Sequence, residues 1–391
     1  MVLNYFVIIG STEHPQRKRI MVVVGEASGD VHGARLVNAL LERDQTLELF
    51  GVGGANLRQT KFDALVDVAQ IAGMGLVELV GNLRNLWVAY RMLQRALEER
   101  KPNLIILIDF PEFNLRLARL AKRLRIPVLY YISPQVWAWR QGRIRQIARR
   151  VDHMAVVFPF EAAFYEKFGV KVSFVGHPLL DIVQARASRE STLKNIGLEP
   201  EKRTVALLPG SRHREVTYHL PVMLRAAQKL NQECDLQFVL VQASTVDRRA
   251  LEEAVRKVPF KVPIVSDNRY DTLRASDLVW TASGTATLET ALMLKPMVIV
   301  YRVSWLTYFL ARLLVRVKHI GMVNIIAGDA VVPELIQSDL KAERVIEESR
   351  PLLDNRELRE KVIGRLAELR KKLGLPGAAD RVADIAMSMM A

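Results

Sequence analysis

A carboxylate at the end of an apolar run is the first group in this sequence whose setting suggests chemistry. Asp109 follows Leu104 to Ile108 and precedes Phe110-Pro-Glu-Phe-Asn114, so the run reads as a buried strand with the side chain at its C-terminal end, facing a cleft. There it could take a proton from an acceptor hydroxyl; capping the helix that carries Asn114, Leu117 and Leu120 is the alternative the spacing leaves open. Glu112 reads as a first-turn helix charge. Upstream, Gly25-Glu-Ala-Ser-Gly-Asp30 follows the apolar run Ile20 to Val24 and opens a helix. Its glycines let main chain approach a ligand, and the helix start offers unpaired N–H groups. The spacing is not the Gly-x-Gly-x-x-Gly of a dinucleotide site. A tight strand-to-helix turn with Asp30 as local cap would explain the glycines, but not Glu26 and Ser28.

Two more strand ends could cradle an anion. Thr204 to Pro209 runs into Gly210, Ser211 and Arg212, with His213, Arg214 and Glu215 in the next helical turn. Basic groups there oppose the helix dipole, which suggests a negative ligand nearby. Trp280-Thr-Ala runs into Ser283, Gly284 and Thr285, with Glu289 about one turn on. Glu289 could hold ribose hydroxyls while the helix start receives phosphate; a plain exposed helix charge is its other reading. Two such starts in one half of the chain point to a nucleotide. Between the halves of the motif set, Tyr130 to Arg140 gathers two Tyr, two Trp (one of them Trp137) and Arg140 around a Ser-Pro break. Aromatic bodies with polar tips suit sugar faces and lipid interfaces, and core packing is the alternative. The seven histidines are scattered, His177 sitting in a turn. With no Asp-x-Asp and no His-Glu-x-x-His, the sequence calls for no metal.

These groups need strand ends to hold them. Eleven short apolar runs, each followed by helical periodicity, predict an α/β fold with parallel sheets. They fall at 19–25, 47–52, 104–109, 127–132, 154–158 and 172–175 in the first half, and at 203–208, 236–242, 262–266, 277–281 and 297–301 in the second. The polar stretch 181–203 between the sets predicts two doubly wound domains, 1–190 and 191–391, facing a central cleft. A chain of 391 residues, half of them apolar, is long enough for two cores. The tail 341–391 reads as helical, with Leu358, Val362, Leu366 and Leu369 on one face.

A net charge of +14 favours an anionic partner: nucleic acid, phosphorylated ligand or acidic bilayer. One cysteine, Cys234, suits a reducing compartment. At the start, the basic cluster Arg17 to Arg19 follows the apolar run instead of preceding it, unlike a signal peptide. Two stretches read as interfacial helices, with core packing as the alternative. One is 71–93, with Met74, Leu76, Val77, Leu79, Val80, Leu83, Leu86 and Trp87 beside Arg84 and Arg91. The other is 303–320, with Trp305, Tyr308 and Phe309 beside Arg312, Arg316 and Lys318.

From residue 19 onward, seven segments resemble the lipid-A-disaccharide synthase family in both content and order. They are Gly25-Glu-Ala-Ser-Gly-Asp, Met74-Gly-Leu-Val-Glu, Ile108-Asp-Phe-Pro-Glu-Phe-Asn, Ser133-Pro-Gln-Val-Trp-Ala-Trp-Arg, Gly176-His-Pro, Leu208-Pro-Gly-Ser-Arg and Ser283-Gly-Thr-Ala-Thr-Leu-Glu. The resemblance implies a GT-B fold of two Rossmann-like domains and a metal-free, cofactor-free inverting transfer. The sugar moved is 2,3-diacylglucosamine, from UDP to 2,3-diacylglucosamine 1-phosphate, giving the β-1,6-linked lipid A disaccharide 1-phosphate and UDP. It further implies a peripheral protein on the cytoplasmic side of the inner membrane of a Gram-negative bacterium, serving lipopolysaccharide synthesis at an anionic membrane surface. It also suggests a homodimer built through C-terminal segments that pack back or exchange. By the same resemblance, Asp109 is the candidate base and Glu26 a second carboxylate on the acceptor side. Ser211, Arg212, Ser283, Gly284, Thr285 and Glu289 are UDP ligands, with Asn324 near the pyrophosphate. Ser28, Met74, Leu76, Val77, Leu83, Leu86, Trp87, Trp137 and Arg140 face acceptor or membrane. Two departures stand out: residues 1–18 have no counterpart, and Asp329 stands where the pattern has a basic residue.

The rival enzyme is a glycosyltransferase or epimerase acting on UDP-N-acetylglucosamine, which needs the same second-half motifs but no acyl chains. A nucleic-acid-binding protein fits the charge, yet the chain lacks a basic stripe with base-reading motifs, so no nucleic acid partner is expected.

Overall fold

β-Branched and leucine-rich runs form strands here because both of their faces are covered. Val, Ile and Leu fit the pleat, and only a helix-sandwiched sheet hides them on both sides. The computed structural model describes residues 17–71, 79–137, 141–305, 307–309 and 318–391, with the side chains of 79–83 and 141 excepted. The first sheet contains β1 (Arg19–Val24), β2 (Glu48–Gly53), β3 (Phe62–Asp67), β4 (Leu104–Ile108), β5 (Val128–Tyr131), β6 (His153–Val156) and β7 (Val172–Phe174). The second contains β8 (Arg203–Leu208), β9 (Leu236–Val241), β10 (Ile264–Val265), β11 (Leu278–Ala282), β12 (Met297–Tyr301) and β13 (Glu334–Ile336). Every pairing is parallel.

The eleven expected strands are all present. Two edge strands, β3 and β13, were not expected: β3 mixes acids with apolar residues, and β13 is only three residues long. An edge strand needs an apolar face on one side at most, so its run is broken.

Strand order decides where a ligand can sit. The first sheet runs β3-β2-β1-β4-β5-β6-β7 and the second β10-β9-β8-β11-β12-β13. Each order reverses once, between β1 and β4 and between β8 and β11. At such a switch point the loops diverge and open a crevice at the strands' C-terminal ends. The loops leaving these four strands carry Gly25 to Asp30, Asp109, Gly210 to Arg212 and Ser283 to Thr285.

The polar stretch after β7 is folded, not slack. Ser188 caps the helix Arg189–Asn195 by accepting from the Ser191 amide at 3.2 Å. The Arg189 guanidinium donates to the Lys202 carbonyl at 2.9 Å and to Asp277 at 3.0 Å. Helices Ala342–Asp354 and Arg356–Lys372 follow the second sheet, the latter burying Val362, Leu366 and Leu369. The last helix, Ala378–Met389, returns to the first half and packs on helix Ala27–Arg43. Arg43 donates to Asp384 at 2.6 Å, the Gly377 amide to Asp181 at 2.7 Å, and Arg381 to the Val175 carbonyl at 2.9 Å. The His177 amide donates to the Leu373 carbonyl at 2.9 Å.

Candidate active site

The β4 exit is shaped by an unusual backbone. Asp109 and Phe110 both hold a left-handed conformation, with φ of 50° and 52°, which costs roughly 1–2 kcal/mol per non-glycine residue. Three hydrogen bonds hold it: the Asp109 amide donates to the Tyr131 carbonyl at 3.1 Å, and its carbonyl accepts from Tyr130 Oη and Asn114 Nδ2, each at 2.6 Å. Gly25 makes room for the turn, since a Cβ there would lie 2.1 Å from the Phe110 Cβ. That packing demand explains Gly25 without appeal to a ligand.

The turn sets the Asp109 carboxyl on the wall of a cavity of about 850 Å³ between the two sheets. Burial pushes its pKa up to about 6, the Glu26 charge adds to the rise, and the Phe110 amide opposes it. The helix after the turn has Phe110 at its N-cap position with no side-chain cap bond. Glu26 is exposed at the N-cap position of helix Ala27–Arg43, and Ser28 lines the cavity. Asp30 turns away. Its buried carboxylate accepts from the amides of Gly54 at 2.6 Å and Asn56 at 2.8 Å, clamping the loop after β2.

The opposite wall comes from the second sheet. Arg212, Glu215, Ser283, Gly284 and Thr285 line it. Gly284 has φ of +144°, and an added Cβ would meet nothing within 4 Å, so the conformation and not crowding asks for glycine. The start of helix Thr285–Leu292 is exposed to the cavity. At the β8 exit the Glu215 carboxylate already accepts from the amides of Ser211 at 2.9 Å and Arg212 at 3.3 Å. An incoming anion would compete with that carboxylate for the two donors.

Two expected ligands are engaged elsewhere. Glu289 is buried and accepts from Arg269 at 2.5 Å and Tyr270 Oη at 3.0 Å. Asn324, fully buried, donates to the Val332 carbonyl and Glu334 at 2.8 Å each, and accepts from the amides of Val331 at 2.8 Å and Val332 at 3.1 Å. Neither is on the cavity wall; the side-chain amide of Asn324 ties the loop 328–332 to β13.

Three groups of the first half, two on the wall and one buried behind it, had no role in the sequence reading. His32 and His177 line the cavity, and burial lowers them to about 4 and about 3, so both rings are neutral at pH 7. His177 Nδ1 accepts from the Leu179 amide at 3.2 Å. Glu161, at 1% exposure, is pushed up to about 7 by burial. It accepts from Ser133 Oγ at 2.7 Å and Trp137 Nε1 at 3.0 Å. A carboxylate in the first turn of a helix looks ordinary in sequence, and its partners are 24 and 28 residues away.

Of the residues expected at acceptor or membrane, Trp137 lines the cavity. Leu86 is half-buried against the core, while Trp87 is 62% exposed on helix Leu79–Arg100 with Arg91 over its ring. Trp305 and Phe309 are also exposed. Met74, Leu76, Val77 and Arg140, and the side chain of Leu83, lie outside the described residues. Among the described residues no helix is long and apolar enough to cross a membrane, and no group of three His, Cys, Asp or Glu could hold a metal ion.

The fold has solved counterparts. UDP-GlcNAc 2-epimerase from Neisseria meningitidis, a structure bound to UDP-GlcNAc, superposes with a TM-score of 0.62 at 12% identity, covering 95% of this chain and 99% of that one. Acinetobacter baumannii MurG does so with a TM-score of 0.56 at 14% identity, covering 95% and 99%. Two parallel sheets whose switch points face each other across a cleft, matched to these structures, define the GT-B class. The lipid-A-disaccharide synthetase family model matches residues 20–375. Lipid-A-disaccharide synthases of Syntrophus aciditrophicus and Geobacter sulfurreducens are 48% and 47% identical, each over 95% of this chain and 98% and 97% of their own length. The chain belongs to the lipid-A-disaccharide synthase family, and is a glycosyltransferase of lipid A synthesis.

Proposed function

We propose that this enzyme transfers 2,3-diacylglucosamine from its UDP conjugate to 2,3-diacylglucosamine 1-phosphate with inversion. The observation that carries the reading is a cavity with opposed walls: a carboxyl raised to about 6 on one side, and a helix start with Arg212 on the other. The acceptor 6-hydroxyl attacks the donor's anomeric carbon, Asp109 takes the hydroxyl proton, the bond from that carbon to the phosphate oxygen breaks, and UDP leaves with the electron pair. A base poised near the working pH combines a large ionised fraction with adequate basicity. The Thr285 helix start and the Arg212 guanidinium would stabilise charge developing on the diphosphate. Ser211 and Ser283 flank that site. Glu289 could meet the ribose by exchanging Arg269 or Tyr270 for hydroxyls, and Asn324 supports the wall through the loop it ties.

About 850 Å³ accommodates a nucleotide sugar but not four acyl chains as well. The chains must run out of the cleft, which agrees with a site worked at a bilayer surface. Exposed Trp87 beside Arg91, and exposed Trp305 and Phe309, suit an anionic interface. The last helix, packed on its own chain, supports a monomer-competent fold and leaves exchange between two copies as the route to a homodimer.

The test is transfer by purified protein in detergent, offering the diacylated pair beside unacylated UDP-N-acetylglucosamine. Disaccharide from the diacylated pair alone is expected. Turnover or epimerisation of the unacylated sugar, with none of the lipid pair, would move the enzyme to the rival reading.

A further inference from the structure

Glu161 is a costly residue to bury. Its carboxylate has no cationic partner among the described residues; its contacts are donors from Ser133, Trp137 and the amides of Phe158 and Val157. Capping helix Pro159–Glu166 needs only one of its oxygens, the one that accepts from the Phe158 amide at 3.1 Å. A short polar side chain caps as well without bringing a charge into the core. The second oxygen is what a simple cap does not explain, and it binds Ser133 Oγ and Trp137 Nε1 together.

Those two donors belong to the loop leaving β5, beside the Asp109 turn. The indole N–H can only donate, so one fixed acceptor sets the ring's orientation. Thus held, Trp137 stands edge-on to Phe160 at 4.9 Å and 84°. Phe160 lies parallel to Phe158 at 5.5 Å, and Phe158 meets His177 at 5.1 Å. Trp137, Phe158 and His177 all line the cavity on Asp109's side. An aromatic wall beside the base is built for the apolar face of a sugar and the root of its acyl chains.

We propose that Glu161 is a positioning residue that acts through Trp137 to set affinity for the acyl-sugar acceptor. This rests on the transfer reading above. Glu161→Gln tests it, because an amide can accept on one side only and must turn N–H toward N–H on the other.

The measurement is steady-state transfer with the acceptor varied at saturating donor, with UDP affinity and Tm measured in parallel. Glu161→Gln is expected to raise acceptor KM about tenfold with kcat within about threefold, a loss of binding and not of chemistry. UDP affinity should stay at the wild-type value. Trp137→Phe should move KM the same way, and the double variant should be no worse than the worse single one, as for residues acting as a unit. Wild-type acceptor KM in Glu161→Gln, additive effects, or parallel losses of UDP affinity and kcat would overturn the proposal. Should Glu161→Gln fail to fold, an unchanged acceptor KM in Trp137→Phe overturns it alone. A wild type that makes no disaccharide defeats the transfer reading, and this inference with it; an active wild type with an indifferent Glu161→Gln defeats only this inference.

Discussion

The two walls of the cleft treat their polar groups in opposite ways. On the first-half wall and just behind it, half-buried Asp109 and buried Glu161 have no cationic partner among the described residues, and His32 and His177 are held neutral. On the second-half wall and behind it the acids are spoken for: Glu215, on the wall, by its own helix start, and behind it Glu289 by Arg269 and Tyr270 and Glu334 by Asn324 and the amides of Ile320 and Gly321. What that wall presents to the cavity is main chain at the Thr285 helix start together with Arg212, Lys318 and His319. In the proposed reaction one side moves a proton and the other holds a charge, so chemistry and anchoring can be broken separately.

The largest separation should come from Asp109→Asn, which keeps shape and removes the base. A fall in kcat of about 10²–10⁴-fold is expected, with UDP affinity unchanged by calorimetry. Retained turnover would shift the base role to Glu26. Arg212→Ala should do the reverse, weakening UDP binding by roughly 10–100-fold for a lost charge-assisted contact of about 1.5–3 kcal/mol. Equal affinities for wild type and variant would take Arg212 off the diphosphate. Glu289→Gln should weaken UDP by about tenfold or less and narrow discrimination against a nucleotide lacking ribose hydroxyls. Unaltered discrimination would leave Glu289 as an internal strut.

The smallest effect concerns pH. Asp109 must be ionised to accept a proton, and its pKa is raised to about 6, so kcat/KM should fall as pH drops through that value. Glu26→Gln removes a like charge, which lowers the Asp109 pKa and should carry the acid limb to lower pH by a fraction of a unit. A limb that stays in place would deny the coupling between the two carboxylates.

Much of this was legible because the key groups are tied to strand ends. A buried parallel strand announces itself by an unbroken apolar run, and the residue that ends it must emerge at the crevice; Asp109, Arg212 and Thr285 were found that way. Legibility stopped where direction mattered. Glu289 and Asn324 stand at promising spacings, yet nothing in a sequence says whether a carboxylate one turn into a helix points to a ligand or to a neighbouring arginine. Glu161 was missed for the converse reason, since its value lies in contacts made across 24 and 28 residues.

The returning last helix gives the molecule two chain crossings between its halves. One leaves β7 and the other precedes Ala378, and the bond from the His177 amide to the Leu373 carbonyl lays them side by side. A single tether would let the halves swivel in any direction; two tethers laid together resist twisting and leave a hinge that bends about one line. If the halves move about such a hinge, the Thr285 helix start shifts relative to Asp109 along one path, which keeps the two walls in register. Severing the chain near Gly377 would therefore cost alignment as well as the apolar contact of one helix.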